Sequence, residues 1–230
     1  MDVCPDKISL HADLASLSLA VAQRIAEFAA SAIRERGSFH LALAGGETPR
    51  RCYECLRDLP LDWAQVHVYF GDERCLPRGD AQRNDTMAYE ALLKQVAIPM
   101  ANVYAIPAEL GAVQAAGSYA EILKPLARLD LVLLGLGEDG HTASLFPGNP
   151  ATQSSAAVVA VFDAPKPPAE RVSLGLTTLN AAQHKLFLVA GAGKRDALLR
   201  IRQGEGLPAA QITGAEWHVD RAAWPDANNS

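Results

Sequence analysis

The segment that most constrains this chain runs from Leu129 to Leu136, Leu-Asp-Leu-Val-Leu-Leu-Gly-Leu, and then breaks into Gly137-Glu138-Asp139-Gly140-His141. A nearly unbroken aliphatic run of this length reads as a strand buried on both faces, the pattern of a parallel sheet covered by helices. Loops at the carboxyl ends of such strands are where open α/β sheets bind ligands. A histidine there, with a carboxylate two residues earlier, is a candidate general base near neutral pH. The competing reading is a histidine that caps a following short helix; the flanking glycines and the strand-end position favour the base. Gly135, Gly137 and Gly140 also fit a G-x-G-x-x-G dinucleotide fingerprint, with Asp163 about 20 residues on. That fingerprint needs a helix to open at its last glycine, and Pro147, Gly148 and Pro150 interrupt the segment too soon. A nicotinamide cofactor is therefore not expected.

The 230 residues are enough for one large α/β domain, and no repeat, low-complexity tract or linker divides residues 1–230. Lys and Arg are scattered and the formal net charge is −5, so no basic stripe marks a nucleic-acid surface. A small anionic ligand needs only a few local cations and stays open. No stretch has the length of a membrane span, and the apolar residues from Leu14 to Ala22 run into Gln23, Arg24 and Glu27, as in an amphipathic helix rather than a signal peptide. Cys52 and Cys55 are spaced as neighbours on one helical face and, with Cys4 and Cys75, form no paired metal motif. Idle thiols in a reducing cytosol and no metal site are expected.

Taken in order, apolar positions at helical spacing (Leu14, Leu17, Val21, Ile25, Phe28, Ile33) predict a helix over 13–36 that stops at Gly37. A short buried strand, 39–44, leads to Gly45-Gly46-Glu47-Thr48-Pro49, with Thr48 as the expected N-cap and Pro49 in the first helical turn. Glycines that admit a close backbone and the free N–H groups of a helix start suit a phosphate, although a generic strand-to-helix turn would read the same. The strand 66–70 leads to Gly71-Asp72-Glu73-Arg74, which on its own is equally a structural ion-pair cluster. His67, inside that strand, reads as structural. Further expectations are a helix over 84–95, a short strand from Asn102 to Ile106, a helix from Val113 to Leu126 and a strand from Ala156 to Phe162. Next come a proline-stiffened loop from Asp163, a strand opened by Arg171, a short helix from Thr177 to Ala182 and a strand from Lys185 to Ala190. That last strand ends in Gly191-Ala192-Gly193, with Lys194 at a helix start. One or two short closing strands fall between Gln211 and Asp220, and Ala227 to Ser230 are expected to fray. The fold class is thus α/β, an open, mainly parallel doubly wound sheet flanked by helices, with a few short extra strands.

The words of these loops carry more than their patterns. Gly-Leu-Gly-Glu-Asp-Gly-His-Thr-Ala-Ser-Leu-Phe-Pro-Gly at 135–148 closely resembles the signature of the 6-phosphogluconolactonases, which share a fold with glucosamine-6-phosphate deaminase/isomerase. Gly45-Gly46-Glu47-Thr48-Pro49 resembles the family's sugar-phosphate loop, with Glu47 where a small polar residue is usual; a carboxylate facing a phosphate would repel it, so Glu47 is expected to face solvent or a cation. Asp72-Glu73-Arg74 and Asn84 match a further family motif, and Lys166-Pro167-Pro168-x-x-Arg171 another.

By that resemblance His141 is the general base, Asp139 or Asp72 orients it, and Arg74 contacts the substrate. Gly45, Gly46, Thr48, Asn84, Arg171 and Lys194 bind the substrate and its phosphate. On composition alone Arg171 is an ordinary surface residue. The implied activity is hydrolysis of a 6-phosphogluconolactone ring in the oxidative pentose phosphate pathway, with no cofactor. The partner is a small-molecule sugar phosphate rather than nucleic acid or membrane, and the protein is a cytoplasmic monomer or small homo-oligomer. The five loops are expected at strand ends along one edge of one sheet. Two rivals stand beside this reading. A deaminase typically continues after Gly-His toward Asn-Glu-Pro-Gly, where this chain has Thr142-Ala143-Ser144-Leu145. A non-catalytic sugar-phosphate sensor would come with a DNA-binding extension or a basic stripe.

Overall fold

The computed structural model describes residues 7–225; Cys4 and the tail expected to fray lie outside the described residues. The chain opens with β1 (Lys7–His11) and then α1 (Leu14–Arg36). Asp13 caps α1 by accepting from the Ser16 amide while Ser16 reciprocates, and Gly37 ends the helix in the left-handed conformation at φ 77°. The buried face of α1 carries Leu17, Val21, Ile25 and Phe28, the stripe expected from the spacing. The elements that follow are β2 (Phe39–Leu43), α2 (Glu47–Leu56), β3 (Val66–Phe70), β4 (Asp72–Arg74), α3 (Asn84–Ala91), α4 (Ala112–Leu123), β5 (Leu131–Gly135), β6 (Val158–Val161), β7 (Arg171–Leu174), α5 (Leu176–Ala181), β8 (His184–Val189), α6 (Arg195–Arg202) and β9 (Glu216–Asp220).

Among the described residues, six strands form a parallel sheet in the order β1-β9-β8-β5-β2-β3. The order explains where a site can form. From β2 the chain moves outward to β3, whereas from β5 it moves the other way, to β8 and β9. The loops leaving the carboxyl ends of β2 and β5 therefore part, and the crevice between them is the switch point at which such sheets bind ligands. Leu131 to Leu134 of β5 are all buried at the sheet centre, as the aliphatic run requires. No helix among the described residues is long and apolar enough to cross a membrane.

A second, antiparallel sheet, β4-β7-β6, corrects the expectation that all the loops share one sheet edge. Asp72–Arg74 is itself a strand, paired with β7 so that Arg74 lies opposite Arg171. This small sheet is fastened to the large one at Gly71, whose N–H donates to Leu43 O and whose carbonyl accepts from Leu174 N, both at 2.8 Å. Two local expectations are also corrected. Asn102–Ile106 is not a strand: a single helical turn, Met100–Asn102, is followed by one bridge, Val103 to Val68. Pro99 and Pro107 bracket the segment and leave no room for a ladder. Thr48 is not the N-cap of α2. Gly46, at φ 106°, turns the chain two residues earlier, and Thr48 sits inside the helix without a side-chain capping bond.

Candidate active site

The switch-point crevice holds a cavity of about 220 Å³, and Gly45, Gly46, Asp72, Arg74, Asn84, His141, Arg171 and Lys194 all line it. The large sheet supplies Gly45 and Gly46 after β2, His141 after β5 and Lys194 after β8. The small sheet supplies Asp72, Arg74 and Arg171, and Asn84 opens α3. Thr48 is not on the cavity wall. Glu47 pairs with Arg50 and Arg51 on the exposed side of α2, which meets the expectation that its carboxylate finds a cation.

His141 and Asp139 form a pair. Nδ1 of His141 lies 2.5 Å from Asp139 Oδ1, and the His141 backbone N–H donates to the same oxygen at 3.1 Å. A carboxylate only accepts, so Nδ1 carries a ring proton, and in the neutral imidazole the lone pair is then on Nε2. Burial works against the Asp139 charge, but the amide and ring of His141 outweigh it and hold the carboxyl below its ordinary range. The Gly137 N–H donates to His141 O at 2.8 Å, Thr142 Oγ1 donates to Gly135 O at 2.9 Å, and Phe146 packs 4.6 Å from the imidazole. Those contacts fix the ring without burying it.

Asp72 does not touch His141. It is 7% exposed and accepts from Asn84 Nδ2 at 3.0 Å and from Ser144 Oγ at 2.6 Å. Which carboxylate sits on His141, left open by the sequence, is thereby answered: Asp139. Asp72 instead ties the His141 loop to β4 and α3. Asn84 can approach the Gly45 loop because Gly45 has no side chain; a Cβ there would stand 1.9 Å from Asn84 Oδ1.

The cations differ in how they are held. Arg74 donates through Nη1 to Gln82 O, while its Nε is buried with no hydrogen-bond partner among the described residues. A buried donor without a partner is costly, and a ligand oxygen would relieve it. Arg171 is 7% exposed, stacks over Phe146 at 5.6 Å, and burial pulls its guanidinium below the ordinary arginine value. Lys194 ends the turn that leads into α6. Sequence reasoning passed over Ser144, Glu138 and Lys166. Glu138 and Lys166 line the cavity, and Lys166 stands in the very motif from which only the arginine was read.

A larger cleft of about 690 Å³ lies beyond Asp139 and Phe146. Its arginine, Arg200, is bonded to Glu205 at 2.6 Å, and it has no histidine, so convergent chemistry favours the smaller cavity. Among the described residues, no three His, Cys, Asp or Glu side chains gather as metal ligands.

A parallel α/β sheet with a histidine–carboxylate pair and several cations at its switch point defines an α/β protein that acts on, or holds, a small anionic ligand. Residues 12–224 match the family described as glucosamine-6-phosphate isomerases/6-phosphogluconolactonase, and the chain belongs to that family. It is similar to 6-phosphogluconolactonase of Rattus norvegicus, with 37% identity over 95% of this chain and 93% of that protein. It is also similar to the chloroplastic 6-phosphogluconolactonase 3 of Arabidopsis thaliana, at 34% identity over 90% of this chain and 71% of that one. The crystal structure of 6-phosphogluconolactonase from Thermotoga maritima superposes with a TM-score of 0.87 at 30% identity, covering 94% of this chain and 99% of the other.

Proposed function

We propose that this protein opens the δ-lactone ring of 6-phospho-D-glucono-1,5-lactone to give 6-phospho-D-gluconate, as a carboxylic ester hydrolase of the oxidative pentose phosphate pathway. In this reading residues 1–230 act as one α/β unit, a cytoplasmic monomer or small homo-oligomer. The observation that carries the proposal is the 2.5 Å contact between His141 Nδ1 and Asp139 in a cavity shared with Arg74, Arg171 and Lys194.

The reaction follows from the protonation pattern. Nε2 of His141 takes a proton from water as the water oxygen bonds to the lactone carbonyl carbon, a step worth about 10²–10⁴-fold. Asp139 stabilises the imidazolium that forms. Negative charge develops on the carbonyl oxygen, and the buried, unpartnered Nε of Arg74 supports a role in receiving it. When the tetrahedral intermediate collapses, the bond from carbon to ring oxygen breaks and His141 returns its proton to that oxygen. The product carboxylic acid then ionises, so each turnover releases one proton. Gly45 and Gly46 amides, with Lys194 across the crevice, hold the remote phosphate and so place the ring.

Proton release from freshly prepared lactone, corrected for spontaneous opening, tests this directly. Wild type should accelerate it, and His141→Asn should lose at least about 10²-fold in kcat while still binding 6-phosphogluconate. Full activity in the variant, or ammonia release from glucosamine 6-phosphate by wild type, would overturn the proposal.

A further inference from the structure

Arg171 is the residue that the resemblance assigns to the phosphate, yet most of its hydrogen bonds run the other way. Nε donates to Pro168 O at 3.2 Å, and Nη2 donates to Lys166 O at 2.9 Å and reaches Pro167 O at 3.5 Å. Only Nη1 makes no bond to a described residue. A buried, ring-stacked guanidinium engaged in this way fixes the backbone of 166–168, and that backbone carries Lys166 on the wall of the cavity. Lys166 Nζ has a single ionic partner among the described residues, Glu138 Oε2, at 3.8 Å, with the two side chains 75% and 64% exposed. Pairing at that distance in water is weak. Glu138 also lies against the loop that bears Lys194, its Oε1 only 3.3 Å from where a Cβ on Gly193 would stand. One carboxylate thus occupies the place where the two lysine-bearing loops converge.

We propose that Lys166 is a phosphate-binding residue of this site, held by Glu138 until the substrate's phosphate displaces that carboxylate, and that Arg171 is the positioning residue that sets the Lys166 loop over the cavity. The inference deepens the lactonase reading and rests on it. A phosphate dianion offers three acceptors and more charge than a solvated carboxylate, so the exchange is favourable. Lysine suits the role because its long stem lets the ammonium swing between two anions.

The test is steady-state hydrolysis together with calorimetric binding of 6-phosphogluconate and of gluconate. Lys166→Met should raise KM about tenfold, with kcat within about twofold, and weaken 6-phosphogluconate binding about tenfold without changing gluconate binding. Glu138→Gln should lower KM, since it removes the competing anion. Arg171→Met should raise KM by itself but add little in the Lys166→Met background, because it acts through that residue. KM of Lys166→Met within twofold of wild type, or fully multiplicative effects of the two substitutions, would overturn the inference. Absence of lactone turnover in the wild type would strike the lactonase reading instead, and the paired calorimetry would still decide whether Lys166 grips a phosphate.

Discussion

A methyl group on Gly137 would stand 2.0 Å from His141 Nδ1 and 2.6 Å from Asp139 Oδ1. Both atoms end side chains that can swing aside, so the backbone would tolerate an alanine while the histidine–carboxylate pair would not. Gly137→Ala should therefore keep the thermal midpoint within a few degrees and lose about 10²-fold in kcat; a variant that unfolds, or one that stays fully active, would show that the glycine has another task. This also explains the misleading dinucleotide fingerprint. Gly137 makes room for the histidine–carboxylate pair, and Gly140, at φ 87°, has Leu207 where a side chain would go. At this scale the sequence was legible where a residue stands in a motif shared with the family, as with His141, Arg74 and Lys194, all of which line the cavity. It was silent on Ser144, because nothing in a serine's position tells that its hydroxyl will reach an aspartate 72 positions earlier in the chain.

Among elements, β1 and β9 meet through a pair of imidazoles. His11 Nε2 and His218 Nδ1 are 3.0 Å apart, with stacked rings, so one must donate and the other accept. Burial, helped by the neighbouring His11, pushes the His218 ring down to about 4 from an ordinary 6.5. A histidine whose folded value is depressed takes up its proton more readily in the unfolded chain. Its stability contribution is therefore complete above about pH 6.5 and is lost as pH falls toward 4. Unfolding followed by urea titration should show a loss on the order of 2 kcal/mol across that window, allowing for partial solvation of the ring. His218→Phe should flatten the slope, and an unchanged slope would remove the imidazole pair as its cause. The strand β1 itself escaped sequence reading: five residues with Leu10 53% exposed give no buried periodicity to detect. The long amphipathic α1 and the aliphatic β5 were legible for the opposite reason, since their burial patterns repeat over enough residues to stand out.

For the whole molecule, the second sheet was the feature least visible beforehand: its strands β6 and β7 were expected, but Asp72–Arg74 is three charged residues with no hydrophobic signal, so its antiparallel pairing with Arg171–Leu174 could not be read. Val159, Val161, Val172 and Leu174 are buried in β6 and β7, whereas β4 is fastened to α3 by charge. Glu73 is fully buried and accepts from the backbone amides of Arg74, Asn84 and Asp85, each at 2.8 Å. Arg83, also fully buried, bonds Asp85 at 2.7 Å and Glu109 at 3.1 Å, stands 3.8 Å from Glu73, and donates to the carbonyls of Leu76 and Ile106. Removing that cation leaves Glu73 and Asp85 without an ionic partner, while Glu109 keeps Arg78, so Arg83→Met should cost about 3–5 kcal/mol in denaturant unfolding. Replacing Arg51, whose pairs with Glu47 and Glu54 are exposed, should not reproduce the effect. Equal effects of the two substitutions would mean that the buried network is dispensable.

The pairing of β1 with β9 bears on the order of events during synthesis. Lys7–His11 finds its hydrogen-bonding neighbour only in Glu216–Asp220, two hundred residues further along the chain, and no other strand pairs with it among the described residues. Of the described strands, β1 is synthesised before the others and waits longest, its edge uncovered until β9 has left the exit tunnel. The centre of the sheet, with the crevice at the ends of β2 and β5, has all its strands in hand well before the margin is sealed.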